Sequence, residues 1–365
     1  MSELPVMPPE DLVLLPAQPR GRSWPTATWA TGEQLTGNPD QVADLLAASF
    51  DHNPNPQLAL TLGVVVAQGG RIVAEAYGPR TDSRTTLISW SMAKSVTDAA
   101  YGLLVADGMV DLDAPAAVPE WAGQDDPRSA ITVRQLLQMR SGLEFNEDYV
   151  DSETSHCLEM LFGKGADDVA GYAASQRLLH PPGTTYNYAS GTTCILARLL
   201  CDLLRGGPGG SPEDRRDTVD RFLHERLFEP LGMNSAQPRY DAVGTWVGSS
   251  YLYATARDFA RFGLFALRDG VWDGRRILPE GWMDSARRPV STVEENGFGY
   301  GEQWWTADPQ LPAGLGAFWA NGYEGQRIMC VPALDLVVVR LGKTPEQHSE
   351  ALLRWYRDLV RTFLD

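Results

Sequence analysis

Residues 1–40 are rich in Pro, Thr and Trp and show no hydrophobic period, which predicts an extended arm lying over the surface. A short helix follows over residues 40–50. Residues 58–67, a Gly-rich turn at Gln68-Gly69-Gly70 and residues 71–77 then predict a hairpin, because β-branched residues flank the turn on both sides. From Ser91 to about Ala286 the period changes to that of helices. Val96, Ala99, Ala100, Leu103 and Leu104 form one apolar stripe that stops at Asp107-Gly108. Further helices are predicted over residues 132–139, 169–176, 192–204, 217–228 and 256–267, with a Gly/Pro-rich surface linker at 206–212. After Pro289 strand signals return at 301–306, 317–320, 326–331 and 336–341, closed by a helix over 347–364.

Strands at both ends with helices between predict an α+β fold with an antiparallel sheet. The expected division is an arm (1–40), a sheet domain built from both chain ends (41–90 and 287–365) and an inserted, mainly helical domain (91–286).

Composition narrows the partners. With 31 Lys+Arg against 47 Asp+Glu the formal net charge is −16, and no basic run offers the clustered cations that a phosphate backbone requires. Nucleic acid is therefore not an expected partner. The longest apolar runs, residues 58–67 and 334–339, are strand-sized and well short of the ~18 residues of a membrane span. The first segment carries Glu3, Glu10 and Asp11 and several prolines, and lacks the charged and apolar regions of a signal peptide, so a cytoplasmic location is expected. Cys157, Cys194, Cys201 and Cys330 form no CxxC pair and predict reduced, buried thiols. The five histidines are scattered without metal-ligand spacing, and neither a metal site nor a cofactor site is expected.

The candidate chemistry begins where the sheet segment gives way to the first long helix. Ser91-Met92-Ala93-Lys94 puts Ser91 at a helix N-terminus and Lys94 one turn on, on the same face. A serine hydroxyl is a weak nucleophile until a neighbour takes its proton, and a lysine can do so only where its surroundings depress its pKa. The same spacing also describes a capping serine followed by a solvated lysine. Downstream, the turn-rich loop of residues 181–191 carries Tyr188, a residue type able to relay a proton beside such a pair.

With this loop the chain resembles a family, the serine β-lactamase and penicillin-binding protein superfamily in its class C-like branch. Ser91-Met92-Ala93-Lys94-Ser95 is similar to the family's nucleophile motif, residues 105–113 to its helix-end signature, and residues 131–137 with Ser141-Gly142-Leu143 to its next block. Pro182-Gly183 with Tyr188-Ala189-Ser190 resembles its Tyr-x-Asn motif, with serine where β-lactamases have asparagine. Ala320-Asn321-Gly322 stands where the family has Lys-Thr-Gly or His-x-Gly, so no cation is present there to hold a substrate carboxylate. Both departures point away from a β-lactamase or D,D-peptidase. Tyr-x-Ser, residues 145–149 and the Gly322-Tyr323-Glu324-Gly325-Gln326 strand are most similar to the nylon-oligomer (6-aminohexanoate-dimer) hydrolase group.

The resemblance implies a β-lactamase/transpeptidase-like fold and a serine hydrolase of small esters or amides, with acyl transfer, a β-lactamase/D,D-peptidase-type enzyme or a non-catalytic acyl-binding sensor as alternatives. Ser91, Lys94 and Tyr188 would be catalytic, and the backbone N–H groups of Ser91 and Tyr323 the oxyanion hole. Tyr149, Ser190, Asn321 and Gly322 would contact substrate. Trp246, Trp304 or Trp305, Trp319 and Tyr323 are expected near the pocket. An acidic site without a cation at 320 predicts a preference for neutral or cationic substrates.

Overall fold

The computed structural model describes residues 12–50, 55–123 and 125–364. Eight strands form one sheet: β1 (Leu60–Gln68), β2 (Arg71–Tyr77), β3 (Ser291–Thr292), β4 (Gly299–Tyr300), β5 (Trp305–Thr306), β6 (Phe318–Gly322), β7 (Gln326–Val331) and β8 (Leu336–Lys343). Their order is β2-β1-β8-β7-β6-β5-β4-β3, and every neighbouring pair is antiparallel. Strands from both ends of the chain meet at the β1–β8 pair, where Val65 faces Val339.

Side-chain alternation assigns each strand residue to one of two cores. Val64, Val66, Met329 and Val338 pack on the face covered by helices α1 (Pro39–Phe50) and α5 (Ser349–Arg361). Val65, Ala67, Ile328, Val337 and Val339 pack on the other face, against α4 (Ala256–Leu267) and the helical region. Within that region α2 (Ala93–Ala106) and α3 (Ser190–Arg205) are buried around most of their circumference. Such helices are held by packing more than by propensity. The fold is thus α+β, with the sheet between two helical layers. No helix among the described residues is long and apolar enough to cross a membrane.

Residues 12–38 cross the outside of this assembly without a helix. Backbone carbonyls of Val13, Pro16 and Pro25 accept from Arg287, Arg268 and Arg261, and Trp272 donates its indole N–H to Thr26 at 2.8 Å. The first eleven residues of the expected arm lie outside the described residues.

Two elements differ from the sequence pattern. Residues 301–306 keep only Trp305–Thr306 as strand. Gln303 has a φ of 61° and turns inward, where its carbonyl accepts from Ser95 Oγ at 2.7 Å and its amide bonds Thr193 and Leu137. The segment leaves the sheet in order to tie α2 and α3 together. The helix expected over 217–228 begins earlier, at Pro212, because Ser211 caps it through Asp214 N and Pro212 fits its first turn, and it continues past Leu223 as a π-helical turn over His224–Phe228.

Candidate active site

The short strand Thr86–Ile88 delivers the chain to Ser89, whose N–H donates to Leu252 O at 2.8 Å. Trp90 follows with a φ of 44°, a left-handed conformation unusual for a non-glycine residue. Its ring is held between Tyr251 and Tyr323, at 6.0 and 5.9 Å between centroids. A single tight turn, Trp90–Met92, then carries Ser91 into the start of α2.

Lys94 is buried and its ammonium is fully used. Nζ donates to Ser91 Oγ at 2.8 Å, to Ser190 Oγ at 2.9 Å and to Ser249 O at 3.1 Å. Three donors meet three acceptors, which is the arrangement of a protonated lysine. Burial pushes the Lys94 amine down, but its electrostatic neighbours, Tyr188 first and then Glu147 and Cys157, outweigh it and hold the group above its ordinary value. Tyr188 lies across this cation, with Nζ 4.8 Å from its ring centroid, so its phenol is a close neighbour of the Ser91/Lys94 pair. Burial raises the Tyr188 phenol, against the pull of Lys94. Tyr300 and Trp305 pack on its ring at 5.8 and 5.4 Å.

Glu147 completes the arrangement. Its Oε1 accepts from Ser190 Oγ at 2.5 Å and from Tyr149 OH at 2.8 Å, and its Oε2 accepts from Ser190 N at 2.7 Å. Helix α3 has Ala189 at its N-cap, with no side chain able to cap, and the Glu147 carboxylate from a distant loop takes that position. The result is a continuous path, Glu147 to Ser190 to Lys94 to Ser91. Neither Glu147 nor the Ser249 carbonyl was singled out by spacing. The one available signal was a carboxylate two residues before Tyr149.

The structure brings Ser91, Lys94 and Tyr188 together. Tyr149 stands at the rim, its ring 4.9 Å from that of Tyr323. Gly322 packs its backbone on Ser89, where a Cβ would lie 2.3 Å from Ser89 O. Two expected substrate contacts are not placed for that role. Ser190 is buried, and its hydroxyl is taken up between Lys94 and Glu147. The Asn321 side chain accepts from Arg327 at 2.8 and 3.1 Å, and Arg327 stacks on Trp319 and Tyr356 in the outer core, away from the Ser91 side of the sheet. Of the expected pocket tryptophans only Trp305 borders Tyr188. Trp246, Trp304 and Trp319 are core residues.

Chemically, the cluster can store and move one proton around a serine hydroxyl. Residues 48–362 match the family described as Beta-lactamase. The 6-aminohexanoate-dimer hydrolase of Paenarthrobacter ureafaciens is 27% identical over 353 residues, covering 89% of this chain and 84% of that protein. Among solved structures, a D-stereospecific amidohydrolase from Streptomyces superposes with a TM-score of 0.61 at 17% identity, over 88% of this chain and 97% of that one. EstCE1, a hydrolase with promiscuous acyltransferase activity, gives 0.67 at 16% identity, over 89% and 98%. At these identities the structural likeness is one of fold.

Proposed function

The chain belongs to the β-lactamase family of serine hydrolases, and on that premise we propose that it cleaves a small ester or amide through an acyl-enzyme on Ser91. The observation that carries this reading is the 2.8 Å contact of Lys94 Nζ with Ser91 Oγ, with the Tyr188 ring lying over the same ammonium group.

At rest the Lys94/Tyr188 pair holds two protons, as ammonium and phenol. Loss of one proton from the pair makes it the general base, and because the two groups are coupled that proton belongs to the pair and not to either residue. Ser91 Oγ attacks the carbonyl carbon as its proton passes to the pair. The tetrahedral oxyanion accepts from the backbone N–H groups of Ser91 and Tyr323, and Tyr188 returns the proton to the leaving alcohol or amine. Water then attacks the acyl-enzyme by the same route. Glu147 balances the Lys94 charge through Ser190 and restrains Tyr149 at the rim. The four buried free cysteines support a reducing compartment, in keeping with a cytoplasmic enzyme.

The test is direct. A fluorophosphonate probe labels the wild type and not Ser91→Ala, and turnover of p-nitrophenyl butyrate falls by at least about 10³-fold in Ser91→Ala and Lys94→Ala and markedly in Tyr188→Phe. A wild type that neither labels nor turns over esters, or a Ser91→Ala variant that keeps its activity, would refute the reading.

A further inference from the structure

We propose that Gln326 and Arg340 are positioning residues that hold the backbone turn carrying the Tyr323 N–H. This deepens the serine hydrolase reading and rests on it. Tyr323–Gly325 is a single turn between β6 and β7, and its middle residue, Glu324, has a φ of 58°. A non-glycine residue held there costs on the order of 1–3 kcal/mol and persists only where its surroundings impose it.

The imposition comes from two side chains beneath the turn. Gln326 Nε2 donates to Tyr323 O at 3.0 Å, while the same amide bonds Gly342 O at 2.5 Å and accepts from Gly342 N at 2.8 Å. Arg340 Nη1 donates to Glu324 O at 3.3 Å and to Gly325 O at 3.2 Å, and Thr344 N adds a bond to Glu324 O at 2.9 Å. Each of the three turn carbonyls therefore has a donor from Gln326 or Arg340. Arg340 Nη2 reaches Leu58 O, Leu60 O, Thr61 Oγ1 and Thr344 Oγ1, so the guanidinium is anchored to the first strand as well.

This arginine is 1% exposed and forms no ion pair with a carboxylate among the described residues. Its charge is met by carbonyl and hydroxyl oxygens, an expensive way to fill a core that an apolar side chain would fill at less cost. Room is made for it at Gly342, where a Cβ would sit 2.5 Å from Arg340 Cζ. An oxyanion donor works by being held in place before charge develops, so rigidity of this turn stabilises the transition state and not the bound ester.

The experiment uses Gln326→Met and Gln326→Glu, both close to the native volume, with Arg340→Lys as the second position. Melting curves establish which variants fold. In a folded variant kcat for p-nitrophenyl butyrate falls about tenfold or more, KM stays within about twofold, and the Ki of phenylboronic acid, whose adduct with Ser91 is tetrahedral, rises by the same factor as kcat falls. A folded variant with wild-type kcat, a loss confined to KM, or a kcat loss without weaker boronate binding overturns the assignment. Failure of all three variants to fold also overturns it, since the role would then be structural. The hydrolase reading itself is judged separately, by wild-type turnover and its loss in Ser91→Ala.

Discussion

Lys94 sits at the end of a chain of charge compensation. A buried amine with no partner would lose its proton, and here the direction is reversed by Tyr188 and by the Glu147 carboxylate, which lies one hydroxyl away. The Glu147 charge raises Lys94 and Tyr188 alike, so it makes removal of the first proton from the pair harder. The rate should therefore rise with pH as the pair loses that proton. In Glu147→Gln the negative charge is gone, proton loss becomes easier, and the acidic limb of the kcat/KM profile moves to lower pH while the plateau falls severalfold. A limb that stays in place or moves upward would remove Glu147 from the charge path. Ser91 and Lys94 were legible because one helical turn joins them, a purely local relation. Tyr188 could be placed beside them only through the resemblance. Glu147 could not be assigned from the chain, since its meaning depends on Ser190, which the fold delivers from another segment. For the same reason Ser190 could be expected to face substrate although it faces Lys94.

At the level of elements, the strand that carries the proposed oxyanion donor is fitted to the turn that carries Ser91. Gly322 has an ordinary extended conformation, so its absent side chain serves the close approach to Ser89 and not backbone freedom. In Gly322→Ala the added methyl meets a backbone carbonyl that cannot rotate away. Stability should fall by about 1–3 kcal/mol, with loss of esterase activity at temperatures where the variant is still folded. Denaturant unfolding and assays on the same preparation check both, and an active variant of unchanged stability would show that the two segments are not tightly fitted. The long strands and helices were visible in the pattern because each pairs a strong period with a clear stop. The two-residue strand at 291–292 was not, being too short to show alternation and defined by its partner alone. The rule that separates Trp304 from Trp305 also puts Asn321 on the face opposite Ala320, beside Arg327.

The net charge of −16 acquires a direction once the site is placed. Acidic groups act on the aromatic residues around it: burial first, then Glu324 and Glu346, raise the Tyr323 phenol, Glu295 acts on Tyr186, and Glu147 accepts from Tyr149. Near them stand the rings of Trp90, Tyr149, Trp305 and Tyr323, surfaces that accept an ammonium group by cation–π attraction. The field of an acidic molecule favours association of cationic over anionic substrates and makes the preference sensitive to salt. Of two p-nitrophenyl esters of equal size, one with an ammonium and one with a carboxylate at the acyl end, the first should show the higher kcat/KM by about tenfold at low ionic strength. The ratio should shrink toward the value of a neutral ester at high salt. Wild-type enzyme that prefers the carboxylate, or a preference indifferent to salt, would mean that the surface charge does not reach the site and that specificity lies in contacts deeper in the pocket.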